Sequence, residues 1–148
     1  MTFLTALAIL ALDRLAKFIA LTYLAEGQSV KVLPGIFHFT LVLNDGTAFG
    51  LFKGQAALFA VFSIVVIVFI VVYTIKNRSM DALLSLALGL ILGGAAGNLV
   101  DRAWYGHVTD FLDFRIWPVF NIADSAITIG AAILMIKLFT HKTKGKVV

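Results

Sequence analysis

The sequence predicts a membrane protein, mainly α, with four transmembrane helices and a small β-sheet cradle on the outer membrane face, built as a single integral membrane domain over residues 1–148. Three observations carry that expectation. The chain is 61% hydrophobic and 14% charged, with a mean hydropathy of +1.01, too few charges to cover a soluble domain of this size. Four apolar segments each run to roughly twenty residues, the length that crosses a hydrocarbon core at about 1.5 Å per residue. Between the first two, a stretch alternates apolar and other residues with the period of a strand. No Pro-rich or Ser-rich linker divides the chain.

The first span runs from Thr2 to about Tyr23. It does not read as a cleavable signal peptide, because it lacks a basic start and Asp13, Arg14 and Lys17 interrupt its apolar run. The outer region from Ala25 to Gln55 follows. There Phe37, Phe39, Leu41 and Leu43 alternate with His38, Thr40 and Val42, and Pro34-Gly35 and Asn44-Asp45-Gly46 supply turns at the ends. A small sheet with one apolar face, lying on the outer leaflet, is expected. The second span, Ala56 to Ile75, contains the β-branched run Ile64-Val65-Val66-Ile67-Val68; in lipid a helix is what satisfies such a backbone internally. The third, Ala82 to Val100, repeats Gly89, Gly93 and Gly97 every fourth residue with Ala96 beside them, a close-packing face for a neighbouring helix. The fourth runs from Ile122 to Thr140.

Charge sets the orientation. Lys76 and Arg78 lie between spans two and three, and Lys137, Lys142, Lys144 and Lys146 gather at the end of the chain. The excess of cations on these segments places them, and both termini, in the cytoplasm. The net charge of +4 thus reads as membrane orientation, with no nucleic acid as partner. Arg102 and Arg115 fall in the second outer region, Asp101 to Asn121, a modest departure from the rule. The absence of cysteine removes disulfides, thiolate metal sites and a cysteine nucleophile together. His38, His107 and His141 are far apart and lack metal-ligand spacing; no metal or cofactor is expected.

Carboxylates near a membrane are costly and each needs a reason. Asp81 sits beside the cytoplasmic loop, whereas the remaining acidic residues are expected at or beyond the outer ends of the spans. Asn98-Leu99-Val100-Asp101 closes span three and Asn121-Ile122-Ala123-Asp124 opens span four, and the i,i+3 spacing puts each amide and carboxylate on one helical face. Asn121 equally reads as an N-cap, and Asp124 in the first turn is favoured by the helix dipole. Asp110, fourteen positions before Asp124, has enough chain to fold back onto it. Two adjacent carboxylates share a proton and can serve as base and acid in amide hydrolysis. On residue chemistry alone a solvated loop aspartate is the more ordinary reading of Asp110, and Asp113 competes with it; spacing does not decide. Asp13 and Lys17 read as a self-neutralised i,i+4 pair near the outer end of span one. Arg102 either pairs with Asp101 or binds an anionic group such as a lipid phosphate. Ser125 has no histidine or lysine arrangement that would make it a nucleophile.

Five motifs in order resemble the lipoprotein signal peptidases, the type II signal peptidase family of aspartyl peptidases. Asp13-Arg14-Leu15-Ala16-Lys17 matches D-x-x-x-K, and Asn44-Asp45-Gly46-Thr47-Ala48-Phe49 matches N-x-G-x-A-F. The run from Gly93 to Arg102 matches G-G-A-x-G-N-x-x-D-R, Gly106 to Phe111 matches G-x-V-x-D-F, and Phe120 to Ser125 matches F-N-x-A-D-[ST]. The resemblance covers nearly the whole chain. It implies a catalytic pair at Asp110 and Asp124, substrate-binding and supporting roles for Asn44, Gly46, Asn98, Asp101, Arg102 and Asn121, and a structural pair at Asp13 and Lys17. It further implies diacylglyceryl-modified prolipoprotein substrates cut just before the lipidated cysteine, contact with membrane lipid, sensitivity to globomycin-type inhibitors, residence in the bacterial cytoplasmic (inner) membrane, and a monomer. An ion-coupled transporter and a lipid-binding scaffold are the rival classes; a transporter predicts charges near the bilayer midplane and repeated or broken helices.

Overall fold

The computed structural model describes residues 1–46 and 56–144, residues 141–144 by their backbone alone. Its elements are helix α1 (Thr2–Tyr23), strands β1 (Ser29–Leu33) and β2 (Phe37–Asn44), helices α2 (Ala56–Lys76) and α3 (Ala82–Tyr105), strand β3 (Val108–Asp113) and helix α4 (Ile122–Lys144). The motif residues Thr47, Ala48 and Phe49, the rest of the first outer region to Gln55, and the side chains of the terminal lysines lie outside the described residues.

Among the described residues three helices are long and apolar enough to cross a membrane: Ala56–Lys76, Ala82–Tyr105 and Ile122–Thr140. The sequence predicts four spans. Helix α1 has the length, 22 residues, but its three charged side chains at Asp13, Arg14 and Lys17 take it out of that class by composition. Elsewhere α1 presents apolar side chains outward, with Leu4, Leu7 and Phe18 more than 60% exposed, as does α2 with Phe62 and Phe69. A soluble monomer does not leave contiguous apolar surface of this extent in water.

Helix packing follows the small residues. With lipid outside there is no hydrophobic drive between helices, so close backbone approach has to supply the contact. A Cβ added at Gly89 would stand 2.6 Å from Thr5 Cβ, one at Gly93 2.6 Å from the Ala6 carbonyl oxygen, and one at Gly97 2.6 Å from Asp13 Oδ2. The expected glycine face therefore exists, and it receives α1. The order of these contacts makes α1 and α3 parallel. Gly94 meets the Ala123 carbonyl of α4, and a Cβ added at Gly130 of α4 would stand 2.7 Å from the Ala87 carbonyl oxygen; these two helices run antiparallel. Helix α2 packs on the remaining side of α3, with Ile70, Leu88, Leu92 and Ala6 forming the buried apolar centre. The chain thus alternates direction through its four helices. Lys137 of α4 pairs with Asp81 at the start of α3, bringing the α2–α3 loop and the later part of α4 to one end of the bundle.

The sheet lies at the other end. It has three antiparallel strands in the order β1-β2-β3. Pro34 and Gly35, the latter at φ 75°, turn β1 into β2 with the Ile36 N–H bonded to the Leu33 carbonyl at 3.0 Å, the conformation a Pro-Gly turn favours. The expected single apolar face is modified. His38 and Leu41 are buried while Phe39 is exposed, because one extra residue of β2 interrupts its pairing with β3 between Phe39 and Val42; a bulge of this kind reverses which side of the strand faces the core. The third strand comes from the second outer region, which the sequence reads as a loop. Helix α3 also continues past Val100 to Tyr105 and ends at Gly106, φ 75°, whose N–H bonds back to the Arg102 carbonyl at 3.2 Å. That extension carries Asp101 and Arg102 on a rigid helix beneath the sheet.

Candidate active site

Helix α4 starts with a reciprocal cap. Asn121 Oδ1 accepts from the Asp124 N–H at 2.9 Å, and Asp124 Oδ2 accepts from the Asn121 N–H at 3.3 Å, two otherwise orphaned donors satisfied together. Capping uses only the oxygen of the Asn121 amide. Its nitrogen, fully buried, donates to Asp110 Oδ1 at 2.7 Å and to Asn98 Oδ1 at 3.1 Å. One side chain therefore caps α4 and at the same time bonds to Asp110 and Asn98.

Asp110 is carried on β3, 2% exposed, and so is not a solvated loop residue. Asn44 on the neighbouring strand donates to its Oδ2 at 2.9 Å. Asn98 of α3 donates to Asp124 Oδ1 at 2.7 Å. Asn44, Asn98 and Asn121 thus hold the two carboxyl groups from three elements, amide nitrogens aimed at oxygens. Burial first, and then the charge of Asp124, push the Asp110 carboxyl up to about 7, against the opposing pull of the Asn44 and Asn121 hydrogen bonds and the positive charge of Lys17. Asp113, three positions on and so on the opposite face of the strand, belongs elsewhere. Burial works to raise its pKa, but the Thr40 hydroxyl and the backbone and guanidinium N–H groups of Arg115 outweigh it and hold the carboxyl below the usual range.

A second cluster supports the first. Asp13 and Asp101 face Arg14 and Lys17, with Lys17 Nζ at 2.9 Å from Asp13 and 2.8 Å from Asp101, and Arg14 Nη2 at 3.1 and 2.7 Å from the same two carboxylates. Two anions and two cations cancel, and Asp13, Lys17 and Asp101 are almost wholly buried. The third N–H of Lys17 reaches Asn98 Oδ1 at 3.1 Å, so every donor of the ammonium is used. The remaining lone pairs of the carboxylates tie down backbone: Asp13 accepts from the Ala123 N–H at 3.0 Å, and Asp101 from the Thr109 N–H at 3.1 Å. The cluster therefore fixes the start of α4 and the start of β3, the two segments that bear Asp124 and Asp110. It sits at the middle of the 22-residue α1, not near its outer end, because its partners lie there, beside Gly97 and under the end of α3.

Arg102 does not pair with Asp101, which is taken by Arg14 and Lys17. Its guanidinium lies 5.5 Å from the centre of the Phe59 ring and 3.5 Å from the Asn98 carbonyl oxygen. With Asn44, Gly46, Asp110, Trp117 and Asp124 it lines a cavity of about 260 Å³. Asp124 also borders a cavity of about 270 Å³ between α2, α3 and α4, and one of about 450 Å³ along α4 toward Trp117. The first of these is walled by Phe59, Phe62, Val66 and Ile91, the second by Phe114, Ile116 and Ile129. Two carboxyl groups, one near neutral pKa, thus face space that is apolar on both flanks. Among the described residues no three His, Cys, Asp or Glu side chains converge to hold a metal. Ser125 bonds back to the Asn121 carbonyl at 2.9 Å, and His107 lies against Tyr105.

Every site residue singled out in the sequence falls in one of these two clusters or lines the central cavity. Sequence reasoning misses Arg14, although its signal is present: Asp13 and Asp101 need a second cation. It also misses Thr109, whose carbonyl accepts from Asn121 at 3.4 Å; a backbone contribution leaves no mark on residue type.

The signal peptidase (SPase) II family model matches residues 5–140. The chain is 42% identical over 145 residues to the lipoprotein signal peptidase of Halothermothrix orenii, covering 98% of this chain and 99% of that protein. It is 46% identical over 135 residues to that of Desulfitobacterium hafniense, covering 90% and 89%. A bacterial membrane enzyme solved by the in meso method at 2.3 Å resolution superposes with a TM-score of 0.90 at 32% identity, covering 98% of this chain and 91% of that one. A second, at 1.9 Å, gives 0.83 at 33% identity, covering 93% and 91%. With the match extending across the three strands, all four helices and the polar centre between them, the chain belongs to the signal peptidase II family.

Proposed function

We propose that this protein removes signal peptides from diacylglyceryl-modified prolipoproteins, cutting just before the lipidated cysteine, as an aspartyl endopeptidase with Asp110 and Asp124 as its catalytic pair. The observation that carries the reading is the placement of these two carboxyl groups, Asp110 buried and Asp124 half-buried, held by Asn44, Asn98 and Asn121 at the edge of one cavity. Near neutral pH the pair retains one proton. The ionised member takes a proton from water, whose oxygen attacks the scissile carbonyl, while the protonated member donates to the carbonyl oxygen. The tetrahedral intermediate then collapses as a proton passes to the leaving amine, giving a free carboxyl and a new N-terminus. Arg102 and Gly46 line the approach, and Asp13, Lys17 and Asp101 fix the segments bearing the pair. No metal or cofactor takes part.

All four helices cross the bacterial cytoplasmic (inner) membrane in this reading, within one domain spanning residues 1–148. The neutral Asp13–Arg14–Lys17–Asp101 cluster is what allows α1 to do so, since its charges face the protein interior and one another. Lys76, Arg78 and Lys137 mark the cytoplasmic side together with both termini, and the pair lies toward the outer face. Exposed Trp104, Tyr105 and Trp117 at that end suit the aromatic belt of an interface. The diacylglyceryl chains stay in the outer leaflet, so remote lipid burial supplies binding energy that positions the bond. A globomycin-type inhibitor competes for the same cavity, and a monomer contains every residue invoked.

The test is cleavage of a diacylglyceryl-modified precursor and of its unmodified form by purified protein. Only the modified form is expected to be cut, with Asp110→Asn and Asp124→Asn each inactive and Asp113→Asn retaining turnover. Activity surviving in either of the first two folded variants would sink the assignment.

A further inference from the structure

The segment from Phe114 to Val119 joins the strand that bears Asp110 to the helix that bears Asp124, and its shape is held from both ends. Leu112 and Phe120 exchange backbone hydrogen bonds of 2.8 and 3.1 Å. Within the loop Asp113 Oδ1 accepts from the Arg115 N–H at 2.8 Å, and Oδ2 accepts from Arg115 Nη1 and from the Thr40 hydroxyl, both at 2.7 Å. Thr40 continues to Ser29 at 2.8 Å, and Ser29 to His38 Nδ1 at 3.0 Å. Arg115 has φ 65° and is the one non-glycine with positive φ among the described residues, a conformation an arginine adopts only when its surroundings hold it. The loop's tip is apolar and outward, with Ile116 93% exposed.

Held in this way, the loop is a wall. Trp117 and Pro118 line the cavity that contains Asn44, Asp110 and Asp124, and Phe114, Ile116 and Trp117 line the larger apolar cavity that also reaches Asp124. Phe114 anchors the base of the wall, stacked on Phe120 with centroids 5.8 Å apart and 4.9 Å from Phe37. Asp113 and Arg115 touch neither Asp110 nor Asp124 in any hydrogen bond or ion pair among the described residues.

We propose that Asp113 and Arg115 are positioning residues for substrate, an ionic latch that holds Trp117 and Pro118 as the fixed partition between the cleavage cavity and the adjoining apolar one. The inference rests on the catalytic reading of Asp110 and Asp124. The latch acts through the loop alone: the carboxyl pair is held separately by Asn98 and Asn121 and keeps its geometry when the latch opens. Loss of the latch therefore weakens placement of the substrate and leaves the chemical step intact.

The experiment is steady-state kinetics on a diacylglyceryl-modified precursor for Arg115→Ala, Arg115→Gly and Arg115→Lys, read with the fluorescence of Trp117 in a Trp104→Phe background. Arg115→Ala and Arg115→Gly are each expected to raise KM about tenfold with kcat within about threefold of the parent. Glycine adopts the positive φ freely, so equal effects in the two variants assign the function to the guanidinium and not to backbone strain. Arg115→Lys recovers part of the KM, since an ammonium keeps the charge but reaches Asp113 Oδ2 from a shorter stem than the Nη1 it replaces. The fluorescence anisotropy of Trp117, already exposed in the parent, falls in the alanine and glycine variants as the loop is released. An unchanged KM, a fall in kcat at unchanged KM, or a glycine variant that behaves as the parent would each overturn the proposal. Should Arg115→Ala and Arg115→Gly fail to fold, Thr40→Val removes one hydrogen bond from Asp113 and leaves the ion pair. It is expected to raise KM about threefold, and no rise there has the same overturning force. The two readings fail separately, the carboxyl pair on Asp110→Asn and the latch on KM.

Discussion

Asp110→Asn removes a carboxyl group whose pKa the fold pushes from 3.8 up to about 7, and the consequence for stability is opposite to that for activity. A carboxyl group with a raised folded-state pKa binds more protons folded than unfolded between its two pKa values. Stability from this group is therefore complete below about pH 4 and falls as pH rises toward 7, flattening above it. At about 1.4 kcal/mol per unit, the shift amounts to about 4 kcal/mol lost across that window. The asparagine has no such dependence. It brings a fixed penalty instead, because Asn44 and Asn121 each aim an amide nitrogen at an Asp110 oxygen, and an asparagine offers one acceptor where they need two. That mismatch costs about 1–3 kcal/mol at every pH.

The variant is thus expected to be less stable than the parent at pH 4 and more stable at pH 8, the difference between the two proteins rising by about 4 kcal/mol over the interval. Steric trapping in bicelles, or thermal unfolding in a mild detergent followed by near-UV circular dichroism, measures it at unit steps of pH. Taking the difference between the two proteins largely removes the titration of Asp113, Asp81 and other distant groups. A difference that is flat with pH would show that Asp110 does not carry the proton near neutrality. One that falls as pH rises would show that the fold stabilises its carboxylate, and the argument for a proton-sharing pair would go with it.

Other perturbations follow from the same geometry. The rate of cleavage at saturating substrate should decline as pH rises above about 7, since ionising both members of the pair removes the acid; a pH–kcat profile flat to pH 9 counts against a proton held on Asp110. Lys17→Met leaves Asp13 and Asp101 opposed by Arg14 alone, and a buried charge losing its partner costs about 3–5 kcal/mol, to be read as a lowered unfolding midpoint. Gly97→Ala drives a methyl group to within 2.6 Å of Asp13 Oδ2, an overpacking that costs about 1–3 kcal/mol and lowers activity by displacing the start of α4. Gly27→Ala meets nothing within 4 Å but sits at φ 76°, so it should cost only about 1 kcal/mol of backbone strain and leave cleavage unchanged.

Much of this molecule is legible in its sequence because the bilayer simplifies the rules. Spans two to four and the glycine face of α3 follow from length, hydropathy and the four-residue repeat alone. The turn at Pro34-Gly35 follows from local chemistry. What is not legible depends on register. Asp110 and Asp113 are indistinguishable by spacing while the segment reads as a loop, and they part because it forms strand β3, whose alternation presents residues three apart to opposite faces. The depth of the Asp13–Lys17 pair escapes the sequence for a related reason: an i,i+4 spacing names partners within one helix and says nothing of Asp101, eighty-eight residues on, which fixes that depth.

The two polar clusters differ in a way that bears on their roles. The one at Asp13, Arg14, Lys17 and Asp101 is balanced in charge, and its carboxylates end on backbone N–H groups at the starts of α4 and β3. Such an arrangement meets the cost of burying ions by pairing each of them. The one at Asp110 and Asp124 is not balanced by ion pairs: its side-chain donors are three neutral amides, the charges of Arg102 and Lys17 act without direct contact, and burial works against ionisation of Asp110. Nothing in the helix packing requires that imbalance, since an asparagine at either place would relieve the repulsion. The pair is joined to the neutral cluster through the Lys17–Asn98 hydrogen bond of 3.1 Å and through the backbone N–H groups of Ala123 and Thr109, and a fold that keeps such a pair at a cost in stability is what the proposed chemistry predicts. Asn98→Ala therefore separates the two demands: it should leave the Asp13–Lys17–Asp101 contacts and the four helices in place while lowering kcat, because Asp124 loses its amide donor and Asn121 one of its acceptors. If kcat is unchanged in a folded Asn98→Ala protein, the two clusters are not coupled through Asn98, and the supporting cluster acts on the pair only through the N–H groups of Ala123 and Thr109.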